Sequence, residues 1–215
     1  TMQSFLDRLG DRCPKFAFSN KIRMTHMKTE YRNSKGRHLV SSGRDLSIEL
    51  AVQNRGSGNL FDTFLGWSGV KFDYLLEKFG EQYDAYYTPA EIEPGKYPVV
   101  MGTSDLFGTF LQHFVGEMYV SGASLLSGKL GEKVFSDKLS FRDDMNPETH
   151  NGVCFFDDEG KVAEGLRPTL IENGKLTGLL TTKKSADQFG LSELGTATAA
   201  YDGVPTLAFH SFWLD

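Results

Sequence analysis

The chain has 215 residues, of which 40% are hydrophobic, and its 23 Lys and Arg against 28 Asp and Glu give a formal net charge of −5. This is the composition of an ordinary globular protein that can bury a sizeable core in one or two domains. The acidic balance and the scattering of Lys and Arg argue against nucleic acid as a partner. The sequence has no apolar run of the roughly 18 residues that a membrane helix needs, so we expect no membrane partner.

The cysteines, Cys13 and Cys154, lie far apart and show no CxxC or Cys/His spacing. We therefore predict two free thiols in a reducing compartment, with a disulfide as the alternative. The sequence also lacks GxSxG, GxGxxG and P-loop motifs. Their absence argues against the common hydrolase, dehydrogenase and kinase classes.

The first half of the chain predicts two strands and one helix. Residues 1–36 are polar and irregular apart from 21–28, where alternating basic and apolar residues predict an exposed strand. Residues 46–53 alternate strictly and predict a half-buried strand. Between 70 and 83, apolar residues recur every three or four positions, which predicts an amphipathic helix.

A boundary between domains or subdomains is predicted next, because Pro89, Pro94 and Gly95 interrupt the pattern. Residues 97–101 then read as a short strand. A long helix follows over about 106–126, where apolar residues recur with helical spacing.

The remainder of the chain is rich in strand patterns. Strands are predicted at 138–142, 153–156, 168–172, 175–180 and 207–214, and one short helix at 185–191. Asn173-Gly174 is a strong signal for a hairpin with a type I′ turn, whose two central residues need a positive φ. Because helices and strands segregate rather than alternate, the predicted fold class is α+β, with mainly antiparallel sheet and one long buried helix.

The predicted long helix contains a histidine and a carboxylate, His113 and Glu117, four positions apart. On a helix this spacing places both side chains on one face. Together they could supply two ligands to a metal ion. The alternative is a hydrogen-bonded pair at the edge of the helix, and no third ligand is identifiable.

An acidic turn, Asp157-Asp158-Glu159-Gly160, follows an apolar segment. Neighbouring carboxylates raise one another's pKa and so suit acid–base chemistry, and oxygen-rich turns can hold calcium. A purely structural role explains the sequence equally well, with Asx-type hydrogen bonds and Gly160 in the left-handed region.

Four motifs in series make the sequence resemble a known family. They are PGKYPVV at 94–100, LSGKLGEKV at 126–134, FDDEG at 156–160 and LIENGKL at 170–176. In this order they resemble the TldD/PmbA family, also called modulator of DNA gyrase, and the resemblance extends from about Glu30 onward. It implies that 1–93 is the end of an N-terminal α/β region and that 94–215 is the C-terminal-type, β-rich domain with the helix 106–126. By this resemblance, family members are longer: they have an N-terminal α/β domain before the strand near Tyr31 and further strands after the position of Asp215.

The resemblance also implies a cytosolic peptidase system in which TldD-type and PmbA/TldE-type subunits form dimers that act on unfolded or small peptides. In TldD-type subunits a helical HExxxH motif and a later cysteine hold zinc. The positions of the two histidines are occupied here by Gln112 and Glu117, and that of the glutamate by His113. A glutamine amide is a poor zinc ligand beside imidazole and thiolate. The cysteine would lie beyond residue 215.

The chain therefore resembles the zinc-less, PmbA/TldE-like member, and zinc is expected only on a TldD-type partner. As partners we expect a second copy or a TldD-like subunit, and a peptide substrate. No catalytic residue is assigned, and Asp157, Asp158 and Glu159 are expected to be structural first and to shape the site second. Two alternatives stay open. One is an active metallopeptidase with His113 and Glu117 as ligands and Asp157 or Asp158 reaching in, and the other is a non-enzymatic interaction or regulatory module.

Overall fold

The structure is a computed structural model. It describes residues 2–56, 60–61, 72–99, 108–150, 152–208 and 212–214. The chain divides into two compact units, one of Thr1–His26 with Arg44–Pro98 and the other of Met27–Gly43 with Val99–Asp215. Two long strands, β1 (Phe16–Arg32) and β2 (His38–Asn54), therefore contribute residues to both units.

The first unit combines two helices with a sheet. These elements are α1 (Met2–Arg12), α2 (Phe72–Tyr86) and a sheet of order β1-β2-β3, in which β3 is Leu60–Phe61 and runs antiparallel to β2. The two helices pack on each other, and Arg8–Asp73 and Arg12–Asp84 ion pairs join them at the surface. The core of this unit contains Phe5, Leu9, Cys13, Phe16, Val52, Leu75, Phe79 and Tyr83.

The predicted strands and helix of this half are confirmed, but one helix was missed. Residues 21–28 lie within β1, residues 46–53 lie within β2, and the helix predicted over 70–83 is α2. Residues 70 and 71 lie outside the described residues. The interpretation of the start of the chain as irregular is wrong, because Phe5 and Leu9 are four positions apart in α1 and are both buried.

The second unit is built around a four-stranded antiparallel sheet of order β6-β5-β4-β9. These strands are β4 (Phe141–Asp143), β5 (Thr169–Glu172), β6 (Lys175–Leu176) and β9 (Phe212–Leu214). A second, two-stranded sheet pairs β7 (Ala197–Thr198) with β8 (Thr206–Leu207). Two short helices accompany them, α3 (Gly116–Val120) and α4 (Lys183–Phe189). The predicted α+β class with mainly antiparallel sheet is confirmed.

The hairpin predicted from Asn173-Gly174 is also confirmed. Asn173 has φ 48° and Gly174 has φ 79°, so both central residues are in the left-handed region that a type I′ turn requires. The turn sets the register so that Ile171 lies opposite Leu176. Both side chains are fully buried in the core of the second unit.

The predicted long helix over 106–126 is not continuous. After helical residues 108–110 the chain forms a 3-10 turn at Leu111–Phe114, becomes extended at Val115 (φ −67°, ψ 125°) and resumes as α3. The cause is a tertiary contact, because the Gly116 N–H donates to Leu180 O at 2.9 Å and the Leu180 N–H donates to Phe114 O at 2.7 Å. Residues 106 and 107 lie outside the described residues.

Several strand predictions need correction. The strand predicted over 175–180 is limited to Lys175–Leu176, and the one predicted over 138–142 begins only at Phe141. Residues 153–156 belong to no strand, since an apolar run predicts burial but not a hydrogen-bonding partner. Residues 97–99 are exposed and belong to no strand, and 100 and 101 lie outside the described residues. The strand predicted over 207–214 ends at Leu207 in β8, and β9 then pairs in the other sheet. The short helix predicted over 185–191 is α4, which begins two residues earlier at Lys183.

Candidate functional site

The three positions that the family resemblance matches to the zinc motif lie on both sides of the helix interruption. Gln112 and His113 belong to the 3-10 turn, Glu117 belongs to the first turn of α3, and the extended Val115 separates them. The prediction that His113 and Glu117 share one helix face is therefore wrong. The backbone between them pairs with Leu180 instead of forming a continuous helix.

His113 is half-buried and held by the loop that follows α3. Its Nδ1 accepts a hydrogen bond from the Leu125 N–H at 3.3 Å, and its carbonyl oxygen accepts one from the Ser124 hydroxyl at 2.6 Å. The imidazole lines a cavity of about 340 Å³ whose walls include Phe114 and Phe135. This surrounding is mainly apolar, which suits an apolar side chain better than a metal ion.

Glu117 faces a different cavity. It lines a cleft of about 390 Å³ together with Thr182, Lys184 and Gln188 from the region of α4. Gln112 and Glu117 are both exposed. The histidine and the carboxylate therefore belong to separate cavities and do not form the hydrogen-bonded pair considered from the sequence.

The residues at these positions do not fit the zinc that the family resemblance implies. One is an amide, one is an imidazole whose Nδ1 already accepts a hydrogen bond, and one is a carboxylate in another cleft. Zinc in proteins is held by three or four converging imidazole, thiolate or carboxylate groups. Among the described residues, no group of three or more His, Cys, Asp or Glu is placed to hold a metal ion.

Asp157 anchors the acidic turn through three backbone donors. Its Oδ1 accepts from the N–H groups of Glu159 at 3.0 Å and Lys161 at 2.8 Å, and its Oδ2 accepts from Ala197 at 3.1 Å. The side chain is buried. Gly160 has φ 76°, so both the Asx-type bonds and the left-handed glycine expected for a structural turn are present.

Asp158 and Glu159 accept hydrogen bonds from other segments of the chain than Asp157 does. Asp158 Oδ2 accepts from the Thr198 hydroxyl at 3.1 Å and from the Ala199 N–H at 2.7 Å. Glu159 Oε2 accepts from the Lys183 N–H at 2.6 Å, at the first residue of α4. Burial raises the pKa of the Glu159 carboxyl, and neighbouring acidic side chains act in the same direction. The three carboxylates thus diverge, and Asp157 and Asp158 are committed to backbone donors rather than directed at His113.

A second polar cleft, of about 390 Å³, lies where the turn between β1 and β2 meets the acidic turn. Arg37 donates to the Gly160 carbonyl oxygen at 2.6 Å, and the Tyr31 ring packs so closely on Gly160 that a Cβ there would overlap it. More than 120 residues separate the two turns in the sequence. No local pattern predicts that contact, which is why sequence reasoning did not identify Arg37.

Both cysteines are free thiols. Cys13 is buried in the core of the first unit, whereas Cys154 is half-buried and belongs to the second. Burial raises the pKa of the Cys13 thiol. In the part of the chain that the structure describes, no helix is both long and apolar enough to cross a membrane.

Comparisons with known proteins agree with this fold. Similar solved structures include the following two. TldE from Thermococcus kodakarensis has a TM-score of 0.72 and 20% identity, covering 99% of this chain and 50% of that one. A proposed modulator of a DNA gyrase from Thermotoga maritima has a TM-score of 0.66 and 21% identity, covering 94% of this chain and 49% of that one.

A curated relative, a metalloprotease of Methanothermobacter thermautotrophicus, is 29% identical over 125 residues. The match covers 56% of this chain and 27% of the relative, so the chain spans only part of the length of the proteins it resembles. Residues 94–215 match the model of the PmbA/TldA metallopeptidase C-terminal domain. Because that match spans more than half of its residues, the chain belongs to the PmbA/TldD metallopeptidase family.

Proposed function

We propose that this chain is a subunit of a TldD/PmbA-type peptidase system that acts on unfolded or small peptides, and that it is the zinc-less, PmbA/TldE-like partner in that system. The observation that carries the proposal is that, within the matched family domain, the positions of the zinc motif hold other residue types. Gln112 and Glu117 occupy the histidine positions, and Glu117 faces a different cavity from His113.

The chemistry of peptide hydrolysis explains why this matters. In metallopeptidases zinc polarises the scissile carbonyl and lowers the pKa of a bound water, and both effects need a metal held by converging ligands. Since Gln112, His113 and Glu117 do not converge, hydrolysis would depend on a TldD-type partner with an intact HExxxH motif. This chain would supply part of the peptide-binding surface and an interface with that partner, in the cytoplasm.

The two cavities lined by His113 and by Glu117 support a role in binding peptide rather than a role in regulation alone. The apolar cavity at His113 can accept an apolar side chain, and the cleft at Glu117 combines polar residues such as Lys184 with apolar ones such as Leu207. Peptide sites commonly combine side-chain pockets of this kind with backbone hydrogen bonds.

Cleavage of fluorescently labelled casein tests the proposal. The chain alone is expected to show no chelator-sensitive cleavage. Mixed with a TldD-type metalloprotease, it is expected to co-elute as a complex and to increase cleavage above that of the metalloprotease alone. A metalloprotease variant with the motif glutamate replaced by Gln is the matched control and should be inactive in both states. Chelator-sensitive cleavage by the chain alone would contradict the zinc-less assignment.

Metal analysis distinguishes the alternative of a non-standard metal site. The double variant His113→Ala/Glu117→Ala and the unchanged chain, both purified without chelators, are expected to contain the same baseline level of zinc. A near-stoichiometric metal in the unchanged chain that is lost in the variant would show that these residues are ligands. An inert chain that neither binds nor affects the metalloprotease would instead favour an interaction module for another partner.

A further inference from the structure

The polar cleft between the two turns of the second unit is lined by charged side chains of both signs. Lys35 and Arg37 lie on the side of the turn between β1 and β2, and Glu159, Lys183 and Glu193 lie on the other. Within the described part of the chain, none of these five side chains forms an ion pair. Opposite charges that face one cleft without pairing leave both signs available to a ligand.

Contacts hold Arg37 and Glu159 in place on the two walls of the cleft. Most of the charged atoms of these two side chains remain free to bind a ligand. Arg37 is fixed by one hydrogen bond, from its Nη1 to Gly160 O, and Glu159 by one, from the Lys183 N–H to its Oε2. Asp157 fixes the backbone of the acidic turn, and the Tyr31 ring against Gly160 forms a wall. Arg37 and Glu159 are therefore positioned before binding, which reduces the conformational entropy that is lost when a ligand arrives.

The two carboxylates are electrostatically unfavourable neighbours. Burial raises the pKa of the Glu159 carboxyl, and the charges of Asp157 and Glu193 act in the same direction, whereas the hydrogen bond from the Lys183 N–H and the Lys183 charge oppose them. A ligand cation between Glu159 and Glu193 would relieve this repulsion. On the opposite side, Lys35 and Arg37 present N–H donors, and guanidinium matches the geometry of a carboxylate.

We propose that this cleft binds a small zwitterion, a free amino acid or a dipeptide, with its carboxylate at Lys35 and Arg37 and its ammonium group at Glu159 and Glu193. The volume of about 390 Å³ is at the small end of ligand sites, which span about 300–1,000 Å³. The interior of a long peptide carries neither terminal charge and would not satisfy both walls. The site does not depend on the proposed function, although amino acids and dipeptides are the class of product that peptide hydrolysis releases.

Titration calorimetry of the whole 215-residue chain with L-alanyl-L-alanine tests the site, with free L-alanine in a second arm to distinguish the two sources of the ligand. We expect the tighter of the two to bind with a Kd of about 1 mM or lower. N-acetyl-alanyl-alanine, which lacks the ammonium group, and alanyl-alanine amide, which lacks the carboxylate, are each expected to bind about tenfold more weakly than the dipeptide. Equal binding of the dipeptide and its capped forms, or no binding of either zwitterion, would overturn the proposal.

Lys35→Gln and Glu193→Gln are the informative variants, because neither side chain makes a hydrogen bond or ion pair with the described residues and the fold should be preserved. Each is expected to weaken binding of the zwitterion about tenfold with an unchanged melting temperature. Lys138→Gln and Glu132→Gln, exposed positions outside the cleft, make the same changes in net charge and should bind as the unchanged chain does. An equal loss in these controls, or inorganic phosphate binding more tightly than either zwitterion, would show a non-specific charge effect or an anion site and overturn the proposal.

Discussion

Asp157, Asp158 and Glu159 are adjacent and chemically alike, yet each has a different role because each meets different donors. Asp157 is buried and accepts three backbone N–H bonds, Asp158 binds the segment after β7, and Glu159 binds the first residue of α4. The sequence shows three carboxylates in a row. It does not show which one is buried.

We expect Asp157→Ala to destabilise the protein strongly. The substitution removes the acceptor of three backbone N–H groups around a buried side chain, and hydrogen bonds to charged groups contribute about 1.5–3 kcal/mol each. The free energy of unfolding, measured by urea denaturation, should fall by about 3 kcal/mol. Asp187→Ala, an exposed carboxylate in α4, is the control and should change it by less than about 0.5 kcal/mol. Similar effects of both substitutions would contradict the structural role of Asp157.

The thiols should differ in reactivity. Burial raises the pKa of Cys13, and the thiolate is the reactive form, so both access and ionisation slow its alkylation. In native protein at pH 8, iodoacetamide should modify Cys154 at least about tenfold faster than Cys13. Peptide mass spectrometry after timed quenching measures both rates, and Cys154→Ser isolates Cys13. Equal rates under native conditions, rather than only in denaturant, would show that Cys13 is accessible.

At the scale of elements, the β5–β6 hairpin depends on a glycine for two reasons. Gly174 has φ 79°, and a Cβ there would lie 2.5 Å from the carbonyl oxygens of Phe135 and Ser136. Gly190, at the end of α4, has φ 65° but has open space around it. A side chain at either position would have an unfavourable left-handed backbone, but only a side chain at 174 would also overlap other atoms. Comparing the two positions therefore distinguishes the cost of backbone strain from the cost of steric overlap.

Replacing each glycine with Ala should show this difference in thermal or urea unfolding. Gly190→Ala carries only the cost of the left-handed conformation, about 1–2 kcal/mol. Gly174→Ala adds an overlap with backbone atoms that cannot rotate away, and the total cost should reach about 3 kcal/mol or more. A loss at position 174 no larger than that at 190 would mean that the loop at 135–136 moves freely.

The interrupted helix gives a prediction about the three positions that the family resemblance matches to the zinc motif. The variant Gln112→His/His113→Glu/Glu117→His restores the HExxxH sequence but not a helix, because Val115 is extended and the backbone on both sides of it is bonded to Leu180. We expect the variant to hold no zinc above baseline after dialysis, measured by mass spectrometry. A TldD-type metalloprotease treated in the same way is the positive control. Stoichiometric zinc in the variant would mean that residues 111–120 form one continuous helix.

At the scale of the whole molecule, the described residues include two hydrophobic core clusters, one in each unit, with no member in common. Leu9 belongs to the first and Ile171 to the second, and both are fully buried. Leu9→Ala should cost about 2–5 kcal/mol and Ile171→Val about 1 kcal/mol. In the double variant we expect the two costs to add to within about 0.5 kcal/mol, since Leu9 and Ile171 belong to clusters that share no member. A larger deviation in urea unfolding would reveal energetic coupling between the clusters.

Much of the architecture could be predicted because it rests on local signals. The apolar spacing of α2, the alternation in β2 and the Asn173-Gly174 turn each act over a few residues. The α1 helix was missed because it begins the chain in a polar context, although Phe5 and Leu9 carry the helical spacing. The segment 153–156 was predicted as a strand because its apolar residues are buried, but burial alone does not provide a pairing partner.

The candidate site was less predictable. The order of four motifs indicated the family, and the departures at Gln112, His113 and Glu117 could be read directly. The placement of His113 and Glu117 in two different cavities could not be predicted from the sequence. It depends on hydrogen bonds to Leu180, which lies more than 60 residues later in the chain.

The sequence by itself thus determined the family, the fold class and the hairpin, since these follow from residue identities, short periodicities and turn chemistry. Only the tertiary structure decided where the helix 106–126 breaks, which carboxylate is buried, and that Arg37 meets the acidic turn at Gly160. The physical reason is the range of the interactions. A hydrogen bond between backbone segments far apart in the chain can outweigh local helix propensity, and its partner is not visible in the local sequence.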